Sequence, residues 1–221
     1  MGDKNQSIYI NKFKDILEEP YLEVGSKDYG DRENLRAKFP NKKYVGIDML
    51  SGKNVDKVID LTLPFEKIDK KLNGMRFSTI FCFSVLEHCD NPFMMAENLT
   101  KLLKPKGKLV LGVPFSFKIH GYPSDYWRFT YEGIKVLFPS IKWHEEDCYW
   151  HTSKDNDFRK IDKDMGKEIF SGKYHRDRGN FLKGLSMDLL KIPKSLGLYN
   201  GILSERHIFV PTNIDMIGEL K

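Results

Sequence analysis

Short apolar runs bounded by glycine, proline or charge recur along the chain at Tyr21 to Val24, Tyr44 to Ile47, Lys57 to Ile59, Phe77 to Phe83 and Lys108 to Val113. Consecutive apolar positions over such lengths are the pattern of strands buried on both faces. Between them the period lengthens from two to about 3.6 residues. Asp31 to Phe39 carries Leu35 and Phe39 four apart, and Phe93 to Leu103 carries Met95, Ala96, Leu99, Leu102 and Leu103. The second of these helices is marked at both ends, with Asn91 placed to cap it, Pro92 at its first position and Pro105 and Gly107 beyond it. Thr130 is placed to cap a further helix containing Ile134 and Leu137. Upstream, Ile10, Phe13, Ile16 and Leu17 form one face of a helix that ends at Pro20 and is expected against the sheet edge.

Strands and helices in alternation predict an α/β fold, a doubly wound and mostly parallel sheet covered on both faces and joined by right-handed crossovers. The chain is expected to form one domain over residues 1–221, with the helix in 1–20 and a core in 21–138. Ile141 to Cys148 and His207 to Val210 supply two late strands. Residues 149–200 are polar and interrupted by glycines, the pattern of an insertion or lid.

Composition narrows the class. Of 221 residues 40% are hydrophobic and 30% charged, which suits a globular domain and excludes disordered and fibrous readings. The longest apolar stretches, such as Leu109 to Val113, fall far short of the roughly 20 residues that cross a bilayer. A net charge of +5, from 36 basic and 31 acidic residues dispersed along the chain, is too mild for nucleic acid but permits an acidic glycan. Cys82, Cys89 and Cys148 form no C-x-x-C pair, and their odd number suits reduced thiols. With no secretory core and Gln6 where a myristoylation signal has Ser or Thr, the protein is expected in the cytoplasm. The six histidines show neither H-E-x-x-H nor H-x-x-x-H spacing, so no metal is expected.

In an open parallel sheet, ligands bind beyond the carboxyl ends of the strands. After the first strand stands LEVGSKDYG, where Gly25 and Gly30 let backbone approach a ligand closely. Lys27, two residues past Gly25, breaks the G-x-G-x-x-G of dinucleotide sites, and Asp31 and Arg32 after Gly30 break the P-loop pattern. Nicotinamide, flavin and P-loop chemistry are therefore disfavoured. Asp48 ends the second strand 25 residues after Glu23, close to the spacing at which an acid accepts from ribose hydroxyls. Asp60 follows the third strand in the same way, with a simple turn residue as its competing role.

These strand ends, together with FSVLEHCDNPFMMAENLTKLLKPKGKLVLGVPF, resemble class I S-adenosylmethionine-dependent methyltransferases of the type 11-like branch over roughly Tyr21 to Phe138. The resemblance implies a Rossmann-like seven-stranded sheet, S-adenosylmethionine as cofactor and S-adenosylhomocysteine as product. It places Glu23, Gly25, Ser26 and Gly30 in the loop around the methionine part, Asp48 on the ribose and Met49 beside the adenine. Asp60 and Leu61 would face the exocyclic amine, and Ser84 and Val85 would line the methionyl side. The chain departs from the family at Lys27, Ser78 and Lys106, where the usual residues are Gly, Asp and Gly.

The stretch HGYPSDYWRFTYEG, His120 to Gly133, packs His, Asp, Arg and aromatics closely, as a sugar platform would. Tyr122, Tyr126, Trp127 and Arg128 are the natural contacts, with His88 at the site's mouth. The competing readings are a structural loop in which Asp125 pairs with Arg128, and a capping and packing role for Glu87 and His88. The stretch also resembles the H-x-x-P-x-D-Y-x-R-F-T signature of type 11-like proteins associated with surface polysaccharides, which implies O-methylation of a saccharide. Such a hydroxyl needs a base; His120 is the first candidate and Asp125 the second. The rivals are a non-sugar small-molecule acceptor and a catalytically silent subunit binding a partner through the Tyr149 to Asn200 segment. Nucleic-acid methylation is disfavoured, because Phe83, Ser84, Val85 and Leu86 replace the [DNS]-P-P-[YF] motif.

Overall fold

A computed structural model of the chain describes residues 4–30, 34–121, 124–162, 165, 167–169, 171–192, 196–197, 207–209 and 211–221. In chain order the helices are α1 (Lys4–Phe13), α2 (Phe65–Lys71), α3 (Pro92–Leu102), α4 (Tyr131–Leu137), α5 (Gly172–Arg176) and α6 (Phe181–Leu189). The early strands are β1 (Tyr21–Val24), β2 (Tyr44–Asp48), β3 (Lys57–Val58), β4 (Phe77–Phe83) and β5 (Leu103–Pro114). They are followed by β6 (Ile141–Trp143), β7 (Tyr149–His151), β8 (Phe158–Lys160), β9 (Lys167–Ile169), β10 (His207–Phe209) and β11 (Asn213–Leu220). Contacts divide them into two units, residues 1–161 with 212–221, and residues 162–211. No helix among the described residues is long and apolar enough to cross a membrane.

The first unit is built on a mixed sheet in the order β3-β2-β1-β4-β5-β11-β7-β8, with β6 also paired to β11. From β3 to β5 every pair is parallel, and β1 sits between β2 and β4 with Tyr21 opposite both Tyr44 and Thr79. The chain leaves β1 toward β2 and β3, then crosses to β4 on its other side, so the topology reverses at β1. Beyond β5 the pairing is antiparallel. β6 and β7 pair with opposite ends of β11 and together fill one position, while β8 adds an outer edge. This is why nine strands stand where seven were expected.

Several elements differ from expectation for definable reasons. Of the helix expected from Asp31 to Phe39, residues 31–33 lie outside the described residues and Leu35–Lys38 forms only a 3-10 turn. Asn34 caps it by accepting from the Arg36 amide, and Pro40 disfavours helical backbone at Phe39. The N-terminal helix lies on the sheet's face rather than its edge. Tyr9, Ile10 and Phe13 pack with Phe81 and Phe83 of β4, Val110 of β5 and Ile217 of β11. The strand β11 was not foreseen, because buried Asn213 and Asp215 and Gly218 interrupt its apolar run. α3 matches its expected boundaries closely, with Asn91 accepting from the Met94 amide at 3.1 Å.

The second unit holds an antiparallel pair, β9 with β10, and the helices α5 and α6. The expected strand at His207 to Val210 thus pairs within this small sheet, over His207–Phe209. Ser171 caps α5 by accepting from the Tyr174 amide at 3.2 Å, and Arg176 of α5 pairs with Asp188 of α6. Of the polar segment from Tyr149 onward, β7 and β8 belong to the first unit's sheet.

Candidate active site

A cavity of about 810 Å³ opens in the first unit at the carboxyl ends of the parallel strands. β1 ends at Val24 and turns through Gly25, whose φ of +72° lies in the left-handed region. A Cβ there would stand 2.5 Å from Val85 Cγ2, so both the turn and the close approach require glycine. The turn is tied to the next strand by the amides of Gly25 and Ser26, which donate to the Ile47 carbonyl at 2.9 and 3.1 Å. β2 ends at Asp48, which accepts from the Leu50 amide at 2.9 Å and the Lys27 amide at 3.3 Å. Past β3, Asp60 accepts from the amide and hydroxyl of Thr62 at 2.8 and 2.7 Å. Past β4, Ser84 adopts a φ of +53°.

Gly25, Asp48, Met49, Asp60, Leu61, Ser84 and Val85 all line this cavity. Glu23, Ser26 and Gly30 do not. Alternation along β1 turns Glu23 toward β2, where its carboxylate accepts from the Tyr44 hydroxyl at 2.7 Å. Burial pushes the Glu23 carboxyl above the usual range, against the lowering effect of that hydrogen bond. Ser26 is buried against Gly46, and Gly30 is an exposed turn residue whose amide donates to Asp28 at 2.8 Å.

The same cavity is lined by Glu87 and His88, from the 3-10 turn Leu86–His88, and by Phe117, His120 and Tyr126 from the loop between β5 and α4. Three hydrogen bonds staple that loop to the turn. The Tyr126 amide donates to the Glu87 carbonyl at 2.8 Å, the Trp127 indole to the Cys89 carbonyl at 2.7 Å, and His88 Nδ1 meets the Ser124 carbonyl at 2.5 Å. The His88 and His120 rings stand edge to face with centroids 5.0 Å apart. Burial lowers the pKa of His88, which favours its neutral form.

The remaining residues of the aromatic stretch work inside the loop. Arg128 spends all five N–H donors there, two on Asp125 and one each on the carbonyls of Phe117, Lys118 and Trp127. It has no donor left for a ligand, and neither it, Trp127 nor Asp125 lines the cavity. The Arg128 guanidinium holds the Asp125 carboxyl well below the usual carboxylate range, which makes Asp125 a weak base. Tyr122 lies outside the described residues. Burial raises the thiols, Cys89 to about 11 and Cys148 to about 12, so neither is an activated nucleophile.

Residues that sequence reasoning passed over also reach the cavity. Lys4 and Asn5 from α1 line it, as do Thr62, Ser153, Asp155 and Asn213. Asn5 donates to the Thr152 and Lys154 carbonyls at 3.0 and 2.9 Å and accepts from the Asn156 amide at 2.7 Å, fastening α1 to the turn between β7 and β8. Gln6 reaches Ser84 Oγ at 3.4 Å, and behind them His151 Nε2 lies 3.2 Å from Asp215 with both side chains fully buried. The signal was present in the sequence as Asn5, Gln6 and Ser7, three consecutive polar residues that open the helix and are all buried here.

A parallel sheet whose topology reverses at β1, with a glycine turn and two carboxylates at neighbouring strand tips, defines a doubly wound enzyme built for a nucleoside-bearing ligand. The chain belongs to the family described as "Methyltransferase domain", whose profile matches residues 9–147, and is an S-adenosylmethionine-dependent methyltransferase. Among solved structures it is similar to an S-adenosylmethionine-dependent methyltransferase from Archaeoglobus fulgidus, with a TM-score of 0.52 and 11% identity over 97% of this chain and 94% of that one. A second, from Anabaena variabilis, gives a TM-score of 0.52 and 12% identity over 97% and 83% of the two chains. The [4+2]-cyclase SpnF gives 0.51 and 11% over 97% and 79%, so this fold alone does not fix a reaction. No curated protein matches the chain in sequence.

Proposed function

We propose that this chain O-methylates a saccharide hydroxyl in surface-polysaccharide metabolism, in the cytoplasm, using the cavity at the strand tips for both cofactor and acceptor. The residues present fit the cofactor. Gly25 brings backbone without a side chain to the cavity beside Val85, the Asp48 and Asp60 carboxylates offer acceptors for hydroxyl and amine groups, and Met49, Ile59 and Leu61 offer apolar surface for a purine. When bound, S-adenosylmethionine supplies a methyl group already activated by its positive sulfur.

The chain's own residues then have two tasks. One is to hold the acceptor, and orientation of this kind is worth roughly 7–11 kcal/mol of barrier when alignment is good. Phe117 and Tyr126 offer ring surface for a sugar, with the imidazoles of His88 and His120 beside them for its hydroxyls. The other task is to draw off the acceptor's proton, which falls to His120 because Asp125 is stabilised as a carboxylate by Arg128. The observation that carries the reading is the placement of His120 and Tyr126 in the same cavity as Asp48 and Gly25.

The test is methyl transfer from labelled S-adenosylmethionine to a panel of saccharide, phenol and amine acceptors. Label on a sugar oxygen is the expected result, and transfer confined to amines or phenols removes the saccharide assignment. His120→Ala should slow transfer by about 10²–10⁴-fold while leaving S-adenosylhomocysteine binding intact. Equal turnover in mutant and parent removes His120 from the chemistry.

A further inference from the structure

Glu87, His88 and His120 each present one ligand atom to a common space, and these three atoms lie within 4.8 Å of one another. Glu87 is 1% exposed, and all three residues line the cavity. Each imidazole also has oxygen on its Nδ1 side. The Ser124 carbonyl lies 2.5 Å from His88 Nδ1; the Asp125 carboxylate lies 3.1 Å and the Lys118 carbonyl 3.3 Å from His120 Nδ1. A ring that gives its Nδ1 proton to such an oxygen carries its lone pair on Nε2, turned to the other side. Carbonyl and carboxylate partners of this kind are the usual outer support of metal-bound histidine, fixing tautomer and ring orientation. Asp125 is in turn clamped by Arg128, and the loop that carries His120 is stapled to the turn that carries Glu87 and His88.

We propose that Glu87, His88 and His120 bind one divalent first-row metal ion, zinc or manganese, in the cavity. Two imidazole nitrogens and one carboxylate oxygen suit ions of intermediate softness better than magnesium or calcium, and three protein ligands leave positions open for outside oxygens. Ligands about 2.1 Å from an ion in tetrahedral arrangement stand about 3.4 Å apart, so the cluster closes onto the ion by side-chain rotation over a short distance. The sequence shows no metal motif because Glu87 and His88 are adjacent and His120 joins them only through the fold.

The use of this ion rests on the saccharide reading above. Its open positions take neighbouring hydroxyls of the acceptor, and a hydroxyl bound to it releases its proton to water at a lower pH than a free one does. His120 then serves as a ligand, and the acceptor's proton leaves to water rather than to the imidazole.

Full-length protein stripped with a chelator and titrated with Zn²⁺ by calorimetry and Mn²⁺ by electron paramagnetic resonance tests the site. One ion per chain is expected, with Mg²⁺ at least about 100-fold weaker. His120→Ala should abolish stoichiometric binding, and Asp125→Asn should weaken it by about 10–100-fold. Because Glu87 and His88 are packed, His120→Ala on the surface loop is the deciding variant, with S-adenosylhomocysteine binding as the check that it folds. No stoichiometric binding by the parent, or equal binding by His120→Ala, overturns the site. Stripped enzyme that methylates a saccharide as fast as loaded enzyme returns His120 to the role of base and overturns the ion's use. Tight ion binding without transfer to any hydroxyl acceptor overturns the saccharide reading and leaves the site standing.

Discussion

Asp125 and Arg128 face each other across one loop in a two-pronged ion pair, with Nη1 2.5 Å from Oδ1 and Nη2 2.7 Å from Oδ2. Asp125 also accepts from the His120 amide at 2.8 Å, so the pair sets where the His120 backbone sits. Lysine keeps the charge at position 128 but cannot reproduce the planar fork or reach the surrounding carbonyls together. Arg128→Lys is expected to cost about 1.5–3 kcal/mol of stability, the range for hydrogen bonds to charged groups, and to slow methyl transfer. S-adenosylhomocysteine affinity should not change, since Arg128 does not line the cavity. Thermal unfolding and calorimetry read the two quantities, and an unaltered unfolding temperature would show that the clamp adds nothing to the fold.

Gly25 is the position where the smallest substitution should do most harm. Alanine there meets two obstacles, a φ of +72° and the Val85 side chain at 2.5 Å. The left-handed backbone costs roughly 1–2 kcal/mol for a non-glycine residue. Gly25→Ala is therefore expected to lower both stability and cofactor affinity. Combining it with Val85→Ala removes the collision but not the strain, so the double variant should recover only part of the loss. Full recovery would mean that the backbone conformation is unimportant.

For Asp48 the expected loss is in cofactor binding and, through the turn it organises, in stability as well. Its carboxylate already organises the turn after β2 through the Leu50 and Lys27 amides, and its remaining acceptor capacity faces the cavity wall. Asp48→Ala should weaken S-adenosylhomocysteine by about 10–100-fold, the equivalent of one or two charge-assisted hydrogen bonds. Calorimetric titration decides it, and wild-type affinity would remove Asp48 from the ribose.

The pH dependence of Glu23 carries a definite sign. Its folded-state carboxyl is raised by burial, so between the ordinary carboxylate range, about 4.3, and that higher value the folded protein binds more protons than the unfolded chain. Stability from this group is thus greatest in acid and falls as pH rises through that window. Glu23→Gln keeps an acceptor for the Tyr44 hydroxyl without the buried charge. The variant's unfolding temperature relative to wild type should therefore rise on going from about pH 4 to neutrality. A flat difference across this range would place the charge elsewhere.

Much of the scaffold was legible because it depends on near neighbours. The apolar runs at Tyr21 to Val24 and Phe77 to Phe83 became parallel strands, and Asn91 with Pro92 opened α3 as capping chemistry predicts. The same reading failed at β11, where burial of Asp215 beside His151 is stabilised by a partner distant in sequence and no local pattern announces it. It failed also at α1, whose apolar stripe was visible while the surface it covers was not.

The strands β1 to β5, the helix α3 and the order of motifs along them were determined by the sequence itself, since periodicity, caps and glycine turns act over a few residues. Which side chains meet was decided only by the tertiary structure. Arg128 was turned into its own loop, Glu23 was turned toward Tyr44, and Glu87, His88 and His120 were drawn together in the cavity. The physical reason is that hydrogen bonds and ion contacts depend on distance and direction in space. Residues as separate along the chain as His88 and His120 acquire both only when the loop between β5 and α4 folds back over the strand tips.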